Sequence, residues 1–448
     1  MSTVADLLTR IRCKLTGVKS NLDFKEVLSS ATIIFVVKVL MAFMAFIVSI
    51  VITRYLTVEE AGYYFFMLSV VVMLSTVSRV GLDNAIVRFM AVANDKRDLQ
   101  ELKRVFCLSI GLALGGAGLI SMLLGLAAQL DMPWFFKEDY PSSLWWMMLI
   151  ITVTSLNAVF IQSFQGVKRI ALFALFNGLI RPLNLCALAA VLFISGGLSL
   201  SQALWIYLFV AVVVLLLAYL SWRYVLQSKK YVDHLSKPAN DFNRQFYGYS
   251  FSLWGIACLA IVMGQGAQVF LGVYSTADQV AYFAVANRVA LLVSFVLLAI
   301  NGILSPKFAE ISEVQDTARL QSVYRASTGL MIVLTSPFLL LIFIFSPEVL
   351  LLFGSDYQQA STVLRVLIAA QFVKVMVGSV GQLLIMANLQ RSQRNNLILS
   401  VVILLGLIVY LVPMYGALGA AIACFFAITC NNILGLFQVY KKLNIRMF

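Results

Sequence analysis

Residues 202–226 read QALWIYLFVAVVVLLLAYLSWRYVL, and this stretch decides the fold. It carries no charge before Arg223 and is long enough to cross a bilayer, which takes about 20 residues of helix. Lipid offers the backbone no hydrogen bonds, so such a run must satisfy its own N–H and C=O groups, as a helix. Similar runs recur on both sides of it. The pattern predicts twelve spans, over 31–53, 61–80, 105–129, 143–165, 170–195, 202–226, 248–272, 279–302, 324–346, 359–382, 395–414 and 416–439. The alternating apolar and polar strands of a membrane barrel are absent.

Composition agrees. The 448 residues are 61% apolar and 12% charged, about half the charged share of a soluble domain. The mean hydropathy is +0.94. The expected fold is therefore an all-α integral membrane protein of about twelve helices. Its longest connection, from 227 to 247, is polar and holds His234, Pro238 and Asn240. It divides the chain into an N-terminal lobe (1–226), a linker (227–246) and a C-terminal lobe (247–448). Residues 2–15 place Val4, Leu7, Leu8, Ile11 and Leu15 at helical spacing beside Arg10, Arg12 and Lys14, the pattern of a basic amphipathic segment lying on a membrane surface.

The net charge is +13. Its placement assigns it to orientation rather than to nucleic acid, and no nucleic-acid partner is expected. With the N-terminus cytoplasmic, cytoplasmic segments hold 25 of the 33 Lys and Arg residues and external loops hold two, Arg54 and Lys137. Cytoplasmic connections collect Lys and Arg, so both termini are expected inside.

Shifted by 219 residues, 55–89 lies on 274–308 without a gap. Tyr55, Thr57, Tyr63, Val70, Ser75, Val77 and Phe89 then meet identical residues. Six spans per half start both halves on the same side. That predicts a parallel repeat related by an axis along the membrane normal, as in several transporter folds.

The remaining six cations lie within spans: Lys38, Arg79, Arg181, Arg288, Arg365 and Lys374. Each costs about 2.5–3.5 kcal/mol near a helix centre, so their presence calls for a function. Arg79 and Arg365 lie near span ends, where a long side chain reaches the interface. Lys38, Arg181, Arg288 and Lys374 are deeper and fit an aqueous cavity. Asn177, Arg181 and Asn184 share one helical face, with Pro182 set to kink that span. Gln371, Lys374, Gly378 and Gln382 share another, Asn287 adjoins Arg288, and Gly264, Gln265, Gly266 and Gln268 form a polar stretch. Apart from Asp83 at the inner end of span 2, the spans hold no Asp or Glu. Unpaired buried cations suit an anionic ligand, with phosphate the first candidate. Lys38, Arg181, Arg288 and Lys374 are the candidate substrate-binding residues. Arg54, Arg79, Asn177, Asn287, Gln371 and Arg365 are secondary cavity or interface candidates.

No catalytic constellation is visible and no enzyme is expected. The chain has no Walker-type glycine loop for ATP. Its one histidine, His234, has no ligands at metal spacing, so neither metal nor cofactor is expected. The six cysteines fall inside helices or on the cytoplasmic side, which argues against a disulfide framework. Gly111–Gly118 and Gly416–Gly419 read as sites of close helix packing.

The stretch AYFAVANR (281–288) followed by SPKFAE (305–310) resembles span 8 of polysaccharide flippases. So do Arg54-Tyr55-Leu56 with Ala61-Gly62-Tyr63, and Gly81-Leu82 with residues 85–88. The chain is similar to the O-antigen (Wzx-type) branch of the multidrug/oligosaccharidyl-lipid/polysaccharide exporter superfamily. One departure is Leu56-Thr57, where that branch usually carries Leu-Gly. The resemblance implies two six-helix lobes around a cationic cavity. It implies translocation of undecaprenyl-diphosphate-linked oligosaccharide across the bacterial inner membrane, with membrane lipids, a polysaccharide polymerase and chain-length proteins as partners. Two alternatives stay open: export of another anionic lipid or small molecule, and a membrane glycosyltransferase or polymerase.

Overall fold

The computed structural model of the chain describes residues 40–129, 143–228, 240–313 and 316–445. Lys38, the basic segment 2–15, Lys137 and His234 lie outside the described residues. Every element among the described residues is a helix. In chain order these are α1 (Leu40–Tyr55), α2 (Val58–Ser78), α3 (Leu82–Asp95), α4 (Leu99–Gln129), α5 (Ser143–Gly166), α6 (Ile170–Gly178), α7 (Ile180–Ser195) and α8 (Leu200–Ser228). The second half has α9 (Asn240–Tyr274), α10 (Ala277–Leu291), α11 (Ser294–Glu313), α12 (Thr317–Ile344), the short α13 (Ser346–Leu350), a 3-10 turn (Ser355–Ala360), α14 (Ser361–Val377), α15 (Val380–Met386) and α16 (Gln390–Leu443).

Among the described residues, nine helical stretches are long and apolar enough to cross a membrane. The last, α16, has 54 residues, and a straight helix of that length measures about 80 Å. It is two spans folded into a hairpin. Gly416 leaves helical geometry at φ 52° and ψ −128°. A Cβ on Gly419 would fall on the carbonyl of Leu411, eight residues back, so the chain reverses there. The arms are tied by reciprocal amide bonds between Asn396 and Gln438, at 3.0 and 2.6 Å, and by Lys442 donating to Ser392 at 2.6 Å. Counting α16 twice and adding α1 and the jointed pair α10–α11 gives the twelve spans expected.

The jointed spans have local causes. Between α2 and α3 the chain turns through Val80 (φ 47°) and Gly81 (φ 75°), and Gly81 abuts the Ser250 carbonyl of α9, where a Cβ would collide. Between α6 and α7 the joint falls at Leu179. Pro182 is the third residue of α7, lacks an N–H and would clash with the carbonyl four residues back, that of Gly178. The expected kink thus sits just upstream of the proline. In span 10, α14 stops at Val377 and Gly378 takes φ 73°. The face expected to carry Gln371, Lys374, Gly378 and Gln382 is therefore interrupted, and Gln382 belongs to a separate helix.

The caps reveal the repeat more clearly than the side chains do. Thr57 and Thr276 occupy the N-cap positions of α2 and α10, both in extended geometry and 219 residues apart, and Thr57 also accepts from the Glu60 N–H. Asp98 accepts from the Gln100 and Glu101 N–H groups, and Asp316, 218 residues later, accepts from the Arg319 N–H. Positive φ recurs at a spacing of 220, at Lys168 and Asn388 and again at Gly196 and Gly416. Turn chemistry is specific to position, so a shared spacing across four connections marks two parallel copies of one six-span unit.

In the first copy, α5 is the hub, packing against α2, α3, α4, α6 and α8. Its polar ties are a Ser78–Ser155 hydroxyl bond of 2.8 Å and Asn157 donating to the Ala211 carbonyl at 3.0 Å. In the second copy α14 and α16 pack together, with α9, α10 and α12 around them. The copies meet where α2 lies against α9 and α10. Along this seam Gly62 admits the Ala277 backbone, Gly272 admits the Phe66 ring, and Trp254 Nε1 donates to the Val77 carbonyl at 3.0 Å. The packing expected of Gly111–Gly118 is found only at Gly116, which abuts the Ser78 backbone. Gly111, Gly115 and Gly118 face open space.

Candidate functional site: a cationic seam between the halves

Arg288 occupies the last turn of α10, on the seam. Its guanidinium lies over the Phe65 ring of α2, 3.9 Å from the centroid, and one N–H donates to the Ala284 carbonyl at 3.1 Å. Arginine offers five N–H donors. Among the described residues no carboxylate and no other acceptor takes the remaining ones. Phe65 is fixed in turn, because its carbonyl accepts from Gln268 Nε2 of α9 at 2.8 Å. Stacking on a ring orients a guanidinium while leaving its edge free to bond.

Two buried tyrosines lie within electrostatic reach of the guanidinium. Tyr64 is buried on α2, within electrostatic reach of Arg288 and beside Asn184 of α7. Tyr357, from the 3-10 turn, also lies within reach of Arg288. The Tyr64 hydroxyl lies against the Asn184 side chain, and the Tyr357 hydroxyl is buried without a hydrogen-bond partner among the described residues. Buried polar atoms normally find partners, so the unpartnered Tyr357 hydroxyl within reach of an unpaired guanidinium marks a place for water or a polar ligand.

Arg181 lies one turn before Asn184 on the same face of α7. It is exposed, with Tyr207 of α8 as its electrostatic neighbour. Arg181, Asn184, Tyr64 and Arg288 thus form a chain of neighbours from the first copy into the second. Lys374 ends α14, which packs on α10. It is partly exposed, and among the described residues its ammonium has no hydrogen-bond or ion-pair partner. The structure shows no direct contact between Lys374 and Arg288.

The secondary candidates divide. Asn177 is exposed on α6 and Asn287 is half-buried beside Arg288. Gln371 is buried and accepts from the Ser294 hydroxyl at 3.4 Å, which makes it an interhelical tie. Arg79 forms a fork on Asp83, at 2.8 and 3.1 Å. Arg365 donates to the Ser346 hydroxyl at 2.9 Å. Arg54, at the end of α1, donates to the carbonyls of Leu351 and Leu352 at 2.7 and 3.0 Å, and Phe46 meets Phe353 edge-on at 5.2 Å. Arg79, Arg365 and Arg54 are therefore engaged by protein, and Arg54 ties the two copies together. Sequence reasoning missed Tyr64, Phe65, Tyr207 and Tyr357. Their only signal was an aromatic residue in an apolar span, which composition there makes common.

Among the described residues no group of three or more His, Cys, Asp or Glu is placed to hold a metal ion.

A twelve-span parallel repeat with a seam between its copies defines a class of membrane transporter architecture. Solved structures show the same fold. An inward-facing multidrug resistance MATE family transporter of the MOP superfamily superposes with a TM-score of 0.69 at 18% identity, covering 90% of this chain and 94% of that one. The lipid II flippase MurJ, in an inward closed conformation, superposes with a TM-score of 0.67 at 13% identity, covering 91% and 87%. The family model described as "Polysaccharide biosynthesis protein" matches residues 27–312, and the chain belongs to that family. A similar relative is the "Probable low-salt glycan biosynthesis flippase Agl15" of Haloferax volcanii, 24% identical over 208 residues. That match spans 45% of this chain and 44% of the relative, less than half of its length.

Proposed function

We propose that the chain is a flippase that moves an undecaprenyl-diphosphate-linked oligosaccharide, an O-antigen or related surface-polysaccharide unit, across the bacterial inner membrane by alternating access. The observation that carries this reading is Arg288: an unpaired guanidinium on the seam, stacked on Phe65, with the buried Tyr64 and Tyr357 side chains within its electrostatic reach. A diphosphate suits that fork, and Arg181 and Lys374 supply further positive charge around the path. Membership of a polysaccharide biosynthesis family and the flippase named among its relatives support the substrate class. The lobes are residues 1–226 and 247–448, joined by 227–246, with both termini cytoplasmic. The sugar travels in the seam while the polyprenyl tail stays in lipid, and the lobes rock about the site. Lys38 completes the cationic set. A polymerase and chain-length proteins take the product on the far side. No step of this cycle requires the chain to act as an enzyme.

The test is reconstitution in vesicles with a fluorescent undecaprenyl-diphosphate oligosaccharide, read by accessibility to an external lectin. The intact chain moves the lectin-reactive fraction, and Arg288→Gln stops it at unchanged protein level. Full transport by Arg288→Gln would overturn the phosphate role of Arg288. Transport of an undecaprenyl-free anionic lipid in place of the glycan lipid would overturn the substrate assignment.

A further inference from the structure

A second cationic site lies away from the seam residues just described. A cavity of about 610 Å³ opens between α3, the start of α4 and the start of α9. That end of the bundle carries the basic connections: Arg88, Lys96, Arg97, Lys103 and Arg104 fall within 17 residues. The volume falls within the range of small-ligand sites, roughly 300–1,000 Å³.

Its wall is built from both copies. Arg88 of α3 lies over the Tyr249 ring of α9, 4.4 Å from the centroid. Phe89 holds that wall in place by meeting Phe242, Phe246 and Tyr249 edge-on, at 5.6, 5.3 and 5.9 Å. Lys96 on the rim is already neutralised by Glu101 at 3.2 Å. Arg88 has no such partner: among the described residues no carboxylate pairs with it. It is exposed, so its N–H edge is open to a ligand while its face is held by the ring. Gly248 leaves the wall open, since a Cβ there would meet nothing within 4 Å.

An oriented, unpaired guanidinium above an aromatic floor, at the basic end of a membrane-spanning bundle, is chemistry for an anionic headgroup. We propose that this cavity binds a phosphate ester, with the phosphate on Arg88 and the ester substituents against Phe242 and Tyr249. The source is the headgroup of an anionic membrane lipid or a soluble phosphate ester. Because the wall spans both copies, a bound phosphate adds stability only to arrangements in which α3 and α9 stay packed. The proposal depends neither on the glycan nor on which face is cytoplasmic.

Native mass spectrometry of the purified full chain tests it. Phosphatidylglycerol and phosphatidylcholine are added in parallel, and glycerol 3-phosphate is added separately with thermal unfolding as the readout. Arg88→Gln is expected to lower phosphatidylglycerol retention about tenfold. Phosphatidylcholine retention should be unchanged, Arg88→Lys intermediate, and Arg319→Gln, an exposed cation on the matching connection, without effect. Loss confined to phosphatidylglycerol identifies the lipid as ligand. Stabilisation by glycerol 3-phosphate that disappears in Arg88→Gln identifies a soluble ester. Should Arg88→Gln fail to fold, Gly248→Leu, which fills the cavity and leaves Arg88 in place, is read in the same two assays. Retention and stabilisation both independent of these substitutions would overturn the proposal.

Discussion

At the scale of single residues, the cations in and at the ends of the spans fall into two groups by what holds them. Arg79, Arg365 and Arg54 have their charge or donors taken up by protein, while Arg288 gives one N–H to the Ala284 carbonyl and Lys374 has no partner among the described residues. The distinction predicts different phenotypes. Arg288→Lys keeps the charge but loses the planar fork, so it should restore only part of the transport lost in Arg288→Gln, read in the lectin-accessibility assay. Arg79 and Asp83 should instead behave as a structural pair. Each single neutralisation strands a partner, while the double substitution Arg79→Gln/Asp83→Asn strands none. A double-mutant cycle on thermal stability should give coupling of about 1 kcal/mol, as expected of a partly exposed pair. Asp83 is also the one acid the sequence places in a span, and its carboxylate is held by Arg79. If transport is ion-driven, Asp83→Asn is expected to retain it at normal protein levels, and complete loss there would assign Asp83 to coupling.

At the scale of elements, the joints are the parts that single substitutions break. Gly416 turns α16 back on itself at φ 52°, and the Gln279 side chain of α10 fills the space where a Cβ would go. Gln279 Oε1 also accepts the Ala417 N–H at 2.9 Å, which satisfies a donor exposed by the turn. Gly416→Ala therefore meets both backbone strain and a collision, and should cost about 1–3 kcal/mol in stability measured by thermal unfolding in detergent. Gly197→Ala, beside the matching joint at Gly196 but facing open space, should cost little in the same measurement. Equal losses at the two positions would show that the hairpin is not held by the Gln279 contact.

At the scale of the whole molecule, two predictions concern orientation and motion. Cysteines placed at Lys137 and Asp356 in a chain stripped of its native cysteines should react with an impermeant thiol reagent added outside cells, and one at His234 should not. The reverse pattern would invert the membrane orientation. The contacts of Arg54 with Leu351 and Leu352, and of Phe46 with Phe353, tie the copies on the face opposite the basic connections. The proposed rocking of the lobes would break them once per cycle. A short bifunctional thiol reagent joining cysteines at 46 and 353 should therefore stop transport, and cleaving the bridge should restore it. Undiminished transport by the bridged protein would rule out separation at that face.

What the sequence determined by itself follows from the solvent. Hydrocarbon accepts no unsatisfied backbone, so long apolar runs had to be helices, and their number, order and parallel repeat could be read without coordinates. The cations at 181, 288 and 374 stood out for the same reason, as costly exceptions in an apolar run. The tertiary structure alone decided which of the cations are occupied. Whether Arg79 finds Asp83 or Arg54 finds two carbonyls depends on side-chain direction and helix rotation, which periodicity leaves open. It also decided where the spans break, because Gly81, Gly378 and Gly416 are marked out by the neighbour that crowds them rather than by local composition. The aromatic setting of Arg288 was legible in neither composition nor spacing. In a chain with 12% aromatic residues Phe65 and Tyr64 look like any other apolar positions, until α2 packs on α10 and lays the ring beneath the guanidinium.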